Sequence, residues 1–346
     1  YRYGEWRLQP LESVSVRKRN TRPEALPRLR QGRVRVASFN LENYFNGNGR
    51  GAGFPTDRGA RSHPAMLRQQ ARLLAALRGL AADVVGLNEL ENDGYGRHSS
   101  IAGLTRAMGD KWRYVAPAQE RLGADAIAVG LIYRGDRLAP EGAARTLHSG
   151  PFSGRNRPPL AQRFRLTGSD HSFWVVVNHF KSKYCGDASG DNQAQGDGQG
   201  CWNPARVRAA GALSDWVLEL ARNTGEERFV LVGDLNAYAR EQPLQVLSEA
   251  GFSNALEGHH ALPASGYIYR GRSGTLDYIL ASSDMKPLVA DGGVWPINAD
   301  EAPVMYYSAV GQYDLPASAI PDGRPWRSSD HDPTWVDIAL VRDDDR

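Results

Sequence analysis

The sequence predicts an α/β fold with sheet packed on sheet and helices outside. Three observations carry this expectation. Short runs rich in Val, Ile, Leu and aromatics recur along the chain, helical periodicity appears between them, and no repeat of fixed period is present. The strand candidates are Val34–Phe39, Asp83–Leu87, Ala126–Tyr133, Phe173–Asn178, Phe229–Val232, Leu276–Ala281 and Thr334–Val341. Two helices are well signed. One follows Ser62 and Pro64, with Leu67, Ala71, Leu74 and Leu77 on one face. The other follows Asn203 and Pro204, read as a cap and a first-turn proline, with Val207, Ala210, Val217 and Leu220 recurring. Loop-rich stretches lie at 43–61, 184–202 and 258–274.

The 346 residues, 41% hydrophobic and 23% charged, are ample for one large core. Residues 1–31 stand apart, with an aromatic piece from Tyr3 to Trp6 and then a basic, Pro-containing run through Arg30. They read as the tail of a preceding module plus a linker, and the main domain is expected over 32–342. A start at Tyr1 without a charged-then-apolar leader is expected of a piece trimmed from something longer. No apolar run approaches the roughly 20 residues of a membrane helix, so membrane insertion is not expected. A formal net charge of +3 does not by itself predict a polyanionic partner. The positive charge is nearly all arginine, the lysines being Lys18, Lys111, Lys181, Lys183 and Lys286. That suits bidentate phosphate contacts, although codon bias would produce it too.

The two cysteines, Cys185 and Cys201, flank an excursion of Gly, Asp and Gln. A pair of reduced thiols is one reading. The position favours a disulfide staple, and with it an oxidising compartment.

The chemistry gathers at strand ends. The first strand runs into Asn40 and Glu42, the second into Asn88 and Glu89, and others end at His179 and at Asp234 and Asn236. Asp277 opens Leu276–Leu280, and Ser329-Asp330-His331 precede the last strand. Strand ends at one edge of a sheet converge in space. Taken singly, Asp and Asn here are ordinary turn formers, and a lone histidine is more often structural. Together they are the groups that phosphodiester hydrolysis needs: oxygen ligands for a hard cation, and imidazoles that titrate near neutral pH. Glu89, Asn40 and Asp330 make the metal set. His179 and His331 are the acid–base pair, with Asp277 able to orient an imidazole.

In this order Ser38-Phe39-Asn40, Asn88-Glu89, Asn178-His179, Gly233-Asp234-Leu235-Asn236, Leu276-Asp277-Tyr278-Ile279 and Ser329-Asp330-His331 resemble the signature of the endonuclease/exonuclease/phosphatase superfamily, over about residues 32–342. The resemblance implies a four-layer sandwich of two face-to-face mixed sheets flanked by helices, with 32–342 as the catalytic domain. It implies metal ligation by Asn40, Glu89 and Asp330, with Mg²⁺ expected and Mn²⁺ or Ca²⁺ as alternatives. Asp234 and Asn236 match the pair at the scissile phosphate and attacking water. His179 and His331 match the flanking histidines, Asp277 the partner of His331, and Arg157 a phosphate-contacting arginine. Family members often support the acid-side histidine with a carboxylate or Tyr before the strand at Ala126–Tyr133. Asp125 is nearby, but its spacing leaves its role open.

The segment Asn178–Lys183 followed by the cysteine loop is similar to the secreted bacterial nucleases of that superfamily. The leading expectation is therefore a secreted, largely sequence-nonspecific nuclease acting within strands of DNA, with RNA as a further substrate, working as a monomer. Lys181, Lys183, Arg206 and Arg208 are expected to line a basic groove. A phosphatase or phosphodiesterase for lipid or inositol headgroups is the alternative, marked by an apolar membrane-facing hairpin instead. A catalytically dead binding module is disfavoured, because the histidines and carboxylates are intact.

Overall fold

The computed structural model describes residues 11–12, 15, 22–154, 156–258, 265–308 and 323–340. Its strands are β1 (Arg33–Tyr44), β2 (Val84–Glu91), β3 (Trp112–Tyr114), β4 (Ile127–Arg134), β5 (Leu138–Thr146), β6 (Leu160–Leu166) and β7 (Ser172–His179). Then follow β8 (Phe229–Asp234), β9 (Ser253–Asn254), β10 (Tyr267–Tyr269), β11 (Arg272–Gly274), β12 (Asp277–Ala281), β13 (Val289–Val294) and β14 (Thr334–Ala339). The helices are α1 (His63–Leu80), α2 (Ser100–Met108), α3 (Asn203–Thr224) and α4 (Gln242–Glu249).

Period-two alternation sorts the side chains of β1 between two cores. Val34 and Val36 enter a core shared with Val175, Val177, Val230, Val232 and Ile279. Ala37, Phe39 and Leu41 point the other way, onto Leu73, Ala76 and Leu77 of α1. The second sheet repeats the pattern, with Trp174, Val176 and Leu231 packed on Leu213 and Val217 of α3. Three apolar cores thus separate four layers: helix, sheet, sheet, helix. Each sheet has six strands, in the orders β13-β14-β1-β2-β4-β3 and β5-β6-β7-β8-β12-β9, while β10 and β11 form a separate hairpin. In each sheet the central pair is parallel, β1 with β2 and β7 with β8, and the connection runs through α1 or α3.

Every predicted strand and both predicted helices are present. The elements the pattern missed are mostly at edges. On β6, Arg163 and Arg165 pair with Glu141 of β5 and disguise an apolar row of Leu160, Phe164 and Leu166. One capping expectation is corrected. The residue before α3 is Trp202 in the left-handed region, and Asn203 lies inside the helix with its amide on Gln242 Oε1. Of the first 31 residues, the piece from Tyr3 to Trp6 lies outside the described residues. Further on, Pro23 O accepts from Trp295 Nε1, Leu26 N–H donates to Gly79 O, and Pro27 O accepts from the buried Arg35 guanidinium.

Cys185 and Cys201 are joined, with Cα atoms 5.3 Å apart. The loop they close is filled from within. Arg206 is fully buried and donates to the carbonyls of Lys181, Gln199 and Cys201. Lys183 Nζ is held by both carboxylate oxygens of Glu241, at 2.5 and 2.6 Å. Lys181 lies over the Trp202 ring at 5.0 Å. The expected basic groove is therefore not built from Lys183 and Arg206. A loop of small polar residues supplies few donors of its own, and these two cations satisfy its carbonyls and the facing carboxylate of Glu241.

The two sheets meet closely at Gly86. A Cβ there would stand 2.4 Å from Val232 Cγ2 and 3.2 Å from Val177 Cγ2. Gly86→Val is expected to destabilise the fold by about 1–3 kcal/mol through overpacking, read as a lower urea midpoint with an unchanged slope.

Candidate active site at one end of the inter-sheet core

The inner-face rows that start in valine end in polar groups. Along β1 the row is Val34, Val36, Ser38, Asn40, and along β7 it is Val175, Val177, His179. On β8 it is Val230, Val232, Asp234, and on β12 Asp277 precedes Ile279. The same parity that fills the core therefore delivers Asn40, His179, Asp234 and Asp277 to one end of it. Register keeps them abreast. His179 is level with Asp234, Asp234 with Asp277, and in the facing sheet Asn40 with Asn88. Gly233 is required for this: its φ is +134°, and a Cβ would sit 1.9 Å from Asn178 O on the next strand.

Glu89 reaches the site by a different device. The pairing of β2 with β4 shifts register between Leu87 and Leu90, and that of β1 with β2 between Asn40 and Tyr44. Such bulges re-aim side chains. Around the site Glu42, Asn43, Glu89, Asn236 and Arg327 all have φ between 48° and 61°, which costs on the order of 1–3 kcal/mol per non-glycine residue.

Asp234 is the hub. Its Oδ1 accepts the Asn236 N–H at 2.8 Å, and its Oδ2 accepts Asn40 Nδ2 at 3.3 Å and lies 3.6 Å from His179 Nε2. Asn40 Nδ2 also donates to Glu89 Oε1 at 3.2 Å, and Glu89 Oε2 accepts the Asn43 N–H at 3.0 Å. His331 Nδ1 donates to Asp277 Oδ2 at 2.5 Å, and its Nε2 is 3.9 Å from Asp330 Oδ1. Arg157 is buried, with Nε and Nη2 on Asp125 Oδ2 at 3.1 and 3.0 Å and Nη1 on Phe180 O. The structure thus brings together all nine residues expected from the sequence.

The two imidazoles are in opposite states. Burial works against charge on His331, but Asp277, Asp330 and Asp234 outweigh it and hold the ring protonated well above the ordinary imidazole range. Burial, then Arg157, His331 and Arg58, pull His179 well below it. Among the described residues His179 Nδ1, buried, has no partner, and none of their carboxylates orients this ring from behind. The role left open for Asp125 is filled by arginine: it holds Arg157, and its other oxygen is 3.1 Å from Arg58 Nη2.

Among the described residues, no three carboxylate, imidazole or thiolate side chains close on one point to cage a metal. Mg²⁺ does not need that, since it keeps several waters and takes one or two carboxylates. The local chemistry fits such an ion. Burial and then Asp330 raise the Glu89 carboxyl above its usual range, and burial, Asp330 and Glu89 do the same to Glu42. Among the described residues no hydrogen-bond partner meets the buried Glu42 Oε2. Arg327 beside Glu42, and His331 and Arg157 beside Glu89, offset this crowding only in part, and Asn40, Glu89 and Asp330, joined by Glu42, offer oxygen to a hard cation.

Two residues at the site carry no role in the sequence pattern: Glu42, and Tyr267, whose ring lies 4.5 Å from that of His331. The two aspartates flanking His331 are separated only by the structure. Asp332 is buried and accepts the N–H groups of Ile297, Asn298 and Ala299, whereas Asp330 is a third exposed beside the site.

Residues 37–331 match the endonuclease/exonuclease/phosphatase family. The chain belongs to that family. Comparison with curated protein sequences returns no match. Among solved structures, a family member from Bacteroides thetaiotaomicron superposes with a TM-score of 0.56 at 17% identity, covering 88% of this chain and 94% of that one. A mannosyl-6-phosphatase from the same bacterium gives 0.54 at 17%, covering 88% and 98%. The human Nocturnin catalytic domain with bound sulfate gives 0.54 at 14%, covering 89% and 95%. At these identities the likeness concerns the fold. The family comprises phosphate and phosphodiester hydrolases, and its members generally use divalent metal ions.

Glu89→Gln should weaken Mn²⁺ binding at least tenfold in a calorimetric or EPR titration, with far-UV CD unchanged; unaltered affinity would remove Glu89 from the metal set. Asp277→Asn should lower the His331 pKa, seen by NMR titration of the ring. The raised pKa means that the charge on His331 stabilises the native state fully below about 6.5. That stabilisation is lost as pH rises through the higher folded value, so the stability gap between wild type and Asp277→Asn should narrow with increasing pH.

Proposed function

We propose that this chain is a secreted bacterial, divalent-metal-dependent endonuclease that hydrolyses phosphodiester bonds of DNA with little regard to sequence. It would act as a monomer, since one chain supplies every site residue. The choice of nucleic acid over a lipid or inositol headgroup rests on the β10–β11 hairpin. It stands beside His331 and carries Tyr269, 53% exposed, with the Arg270 guanidinium 5.2 Å over its ring and Arg272 exposed on the return strand. Aromatic faces beside arginines stack bases and hold phosphates, whereas a membrane-facing hairpin would be apolar. The disulfide supports an oxidising location, and among the described residues no helix is long and apolar enough to cross a membrane.

The roles follow from the charge states. Arg157 and the His179 ring receive the scissile phosphate. Asp234 and Asn236 orient the attacking water. His331, held cationic by Asp277, is positioned to give a proton or a charged hydrogen bond, while the neutral His179 can accept one. A divalent cation held by Asn40, Glu89 and Asp330 would supply positive charge to a non-bridging phosphate oxygen.

Supercoiled plasmid should be converted to the nicked form in Mg²⁺ or Mn²⁺, and chelator should abolish the conversion. His179→Ala and His331→Ala should each lose on the order of 10²-fold, and the double variant less than the product of the two, because both act on one step. Turnover of a phosphomonoester without any nicking, or full nicking in excess chelator, would overturn this reading.

A further inference from the structure

The segment Thr56–Ser62 sends one arginine to Asp125 and another into a cavity beside Glu42. At one end Arg58 is 3.1 Å from Asp125 Oδ1, while Arg157 holds the other oxygen of the same carboxylate. Arg157 is 7% exposed and lies inward, beside His179. Arg58 is 44% exposed and stands outboard of it. Among the described residues, these two guanidinium groups share one carboxylate, so one positive charge on that flank is not matched by an ion pair. At the other end Arg61, exposed, lines a cavity of about 310 Å³ together with Arg68, Glu42, Tyr306 and Tyr307. Among the described residues no carboxylate pairs with Arg61. Glu42 belongs both to this cavity and to the acidic cluster, so the cavity adjoins the centre.

The pivot between the two arginines is held in place. Thr56 Oγ1 lies 2.5 and 2.8 Å from the carbonyl oxygens of Arg58 and Ala60, which share its one proton. Gly59 has φ +75° and nests on the Asn43 carbonyl so closely that a Cβ would stand 2.2 Å from that oxygen. The arms therefore diverge from a point anchored to the bulge that presents Glu42.

We propose that Arg58 and Arg61 bind the phosphates on either side of the scissile one, Arg61 with the help of Arg68. This rests on the endonuclease reading above and assigns a protein contact to the strand on each side of the cut. A phosphomonoester or a terminal nucleotide would engage one arm at most. The competing view is that Arg58 only props Asp125 and Arg157.

The test measures binding of a labelled single-stranded 12-mer by anisotropy from 50 to 200 mM salt in Mg²⁺, with His331→Ala as the parent so that the strand is not consumed. Arg58→Ala and Arg61→Ala should each weaken binding about five- to tenfold and lower the slope of log affinity against log salt by about 0.7, the value for one phosphate contact on a single strand. A dinucleotide with one phosphate should lose less than half as much. Arg50→Ala, on the same loop near His98, should leave the slope unchanged. Slopes equal to the parent's in both variants would leave Arg58 a prop and overturn the proposal. A change in only one variant would overturn its two-sided form. A parent that shows no salt-dependent binding of the 12-mer at all would instead remove the nuclease reading on which it stands.

Discussion

The side chain of Asn88 crosses from one sheet to the other, and the geometry of the site depends on that crossing. It is fully buried, donates to Asn178 O at 2.7 Å and accepts the Asp234 N–H at 3.3 Å. Valine packed on valine is attractive in many offsets, because the hydrophobic effect has no direction. A hydrogen-bonded amide has one geometry, and leaving either backbone group unpaired would cost about 1–3 kcal/mol. Asn88 therefore sets where one sheet stops sliding over the other. Asn40 then meets Asp234, and the metal-side residues of the first sheet face the phosphate-side residues of the second.

Around that tie the protein concentrates features that would be unfavourable elsewhere. Among the described residues, left-handed non-glycine positions, crowded carboxylates and an unpartnered imidazole nitrogen all border the same end of the inter-sheet core. They persist because three cores and a central pair of strands in each sheet hold the backbone around them. The outcome is an electrostatic gradient across a short distance. Glu42, Glu89 and Asp330 form an anionic side suited to a cation, and Arg58 and Arg157 a cationic side suited to phosphate. His179 and His331 take opposite charge states because they lie toward opposite ends of it.

Much of this was legible in the sequence. Short Val- and Ile-rich runs ending in Asn40, His179 and Asp234 imply strands whose apolar rows finish in chemistry, and alternation alone puts these side chains on the buried face. The signs for α1 and α3 were local, a capping serine and first-turn prolines, so they needed no tertiary context. The order of the motifs carried the family, and with it the four layers.

What only the tertiary structure decided is how partners were allotted among groups of the same type. Asp330 and Asp332 flank one histidine and look alike in sequence, yet Asp332 is consumed by three backbone N–H groups and Asp330 is left facing the site. Lys183 and Arg206 look like substrate cations, yet both turn inward to satisfy a disulfide-closed loop. Asp125 looks like a support for histidine and holds two arginines instead. Glu89 enters through a bulge that no propensity marks. In each case the deciding quantity is which unpaired donor or charge lies within about 3 Å in space, and residues separated by dozens of positions in the chain determine that.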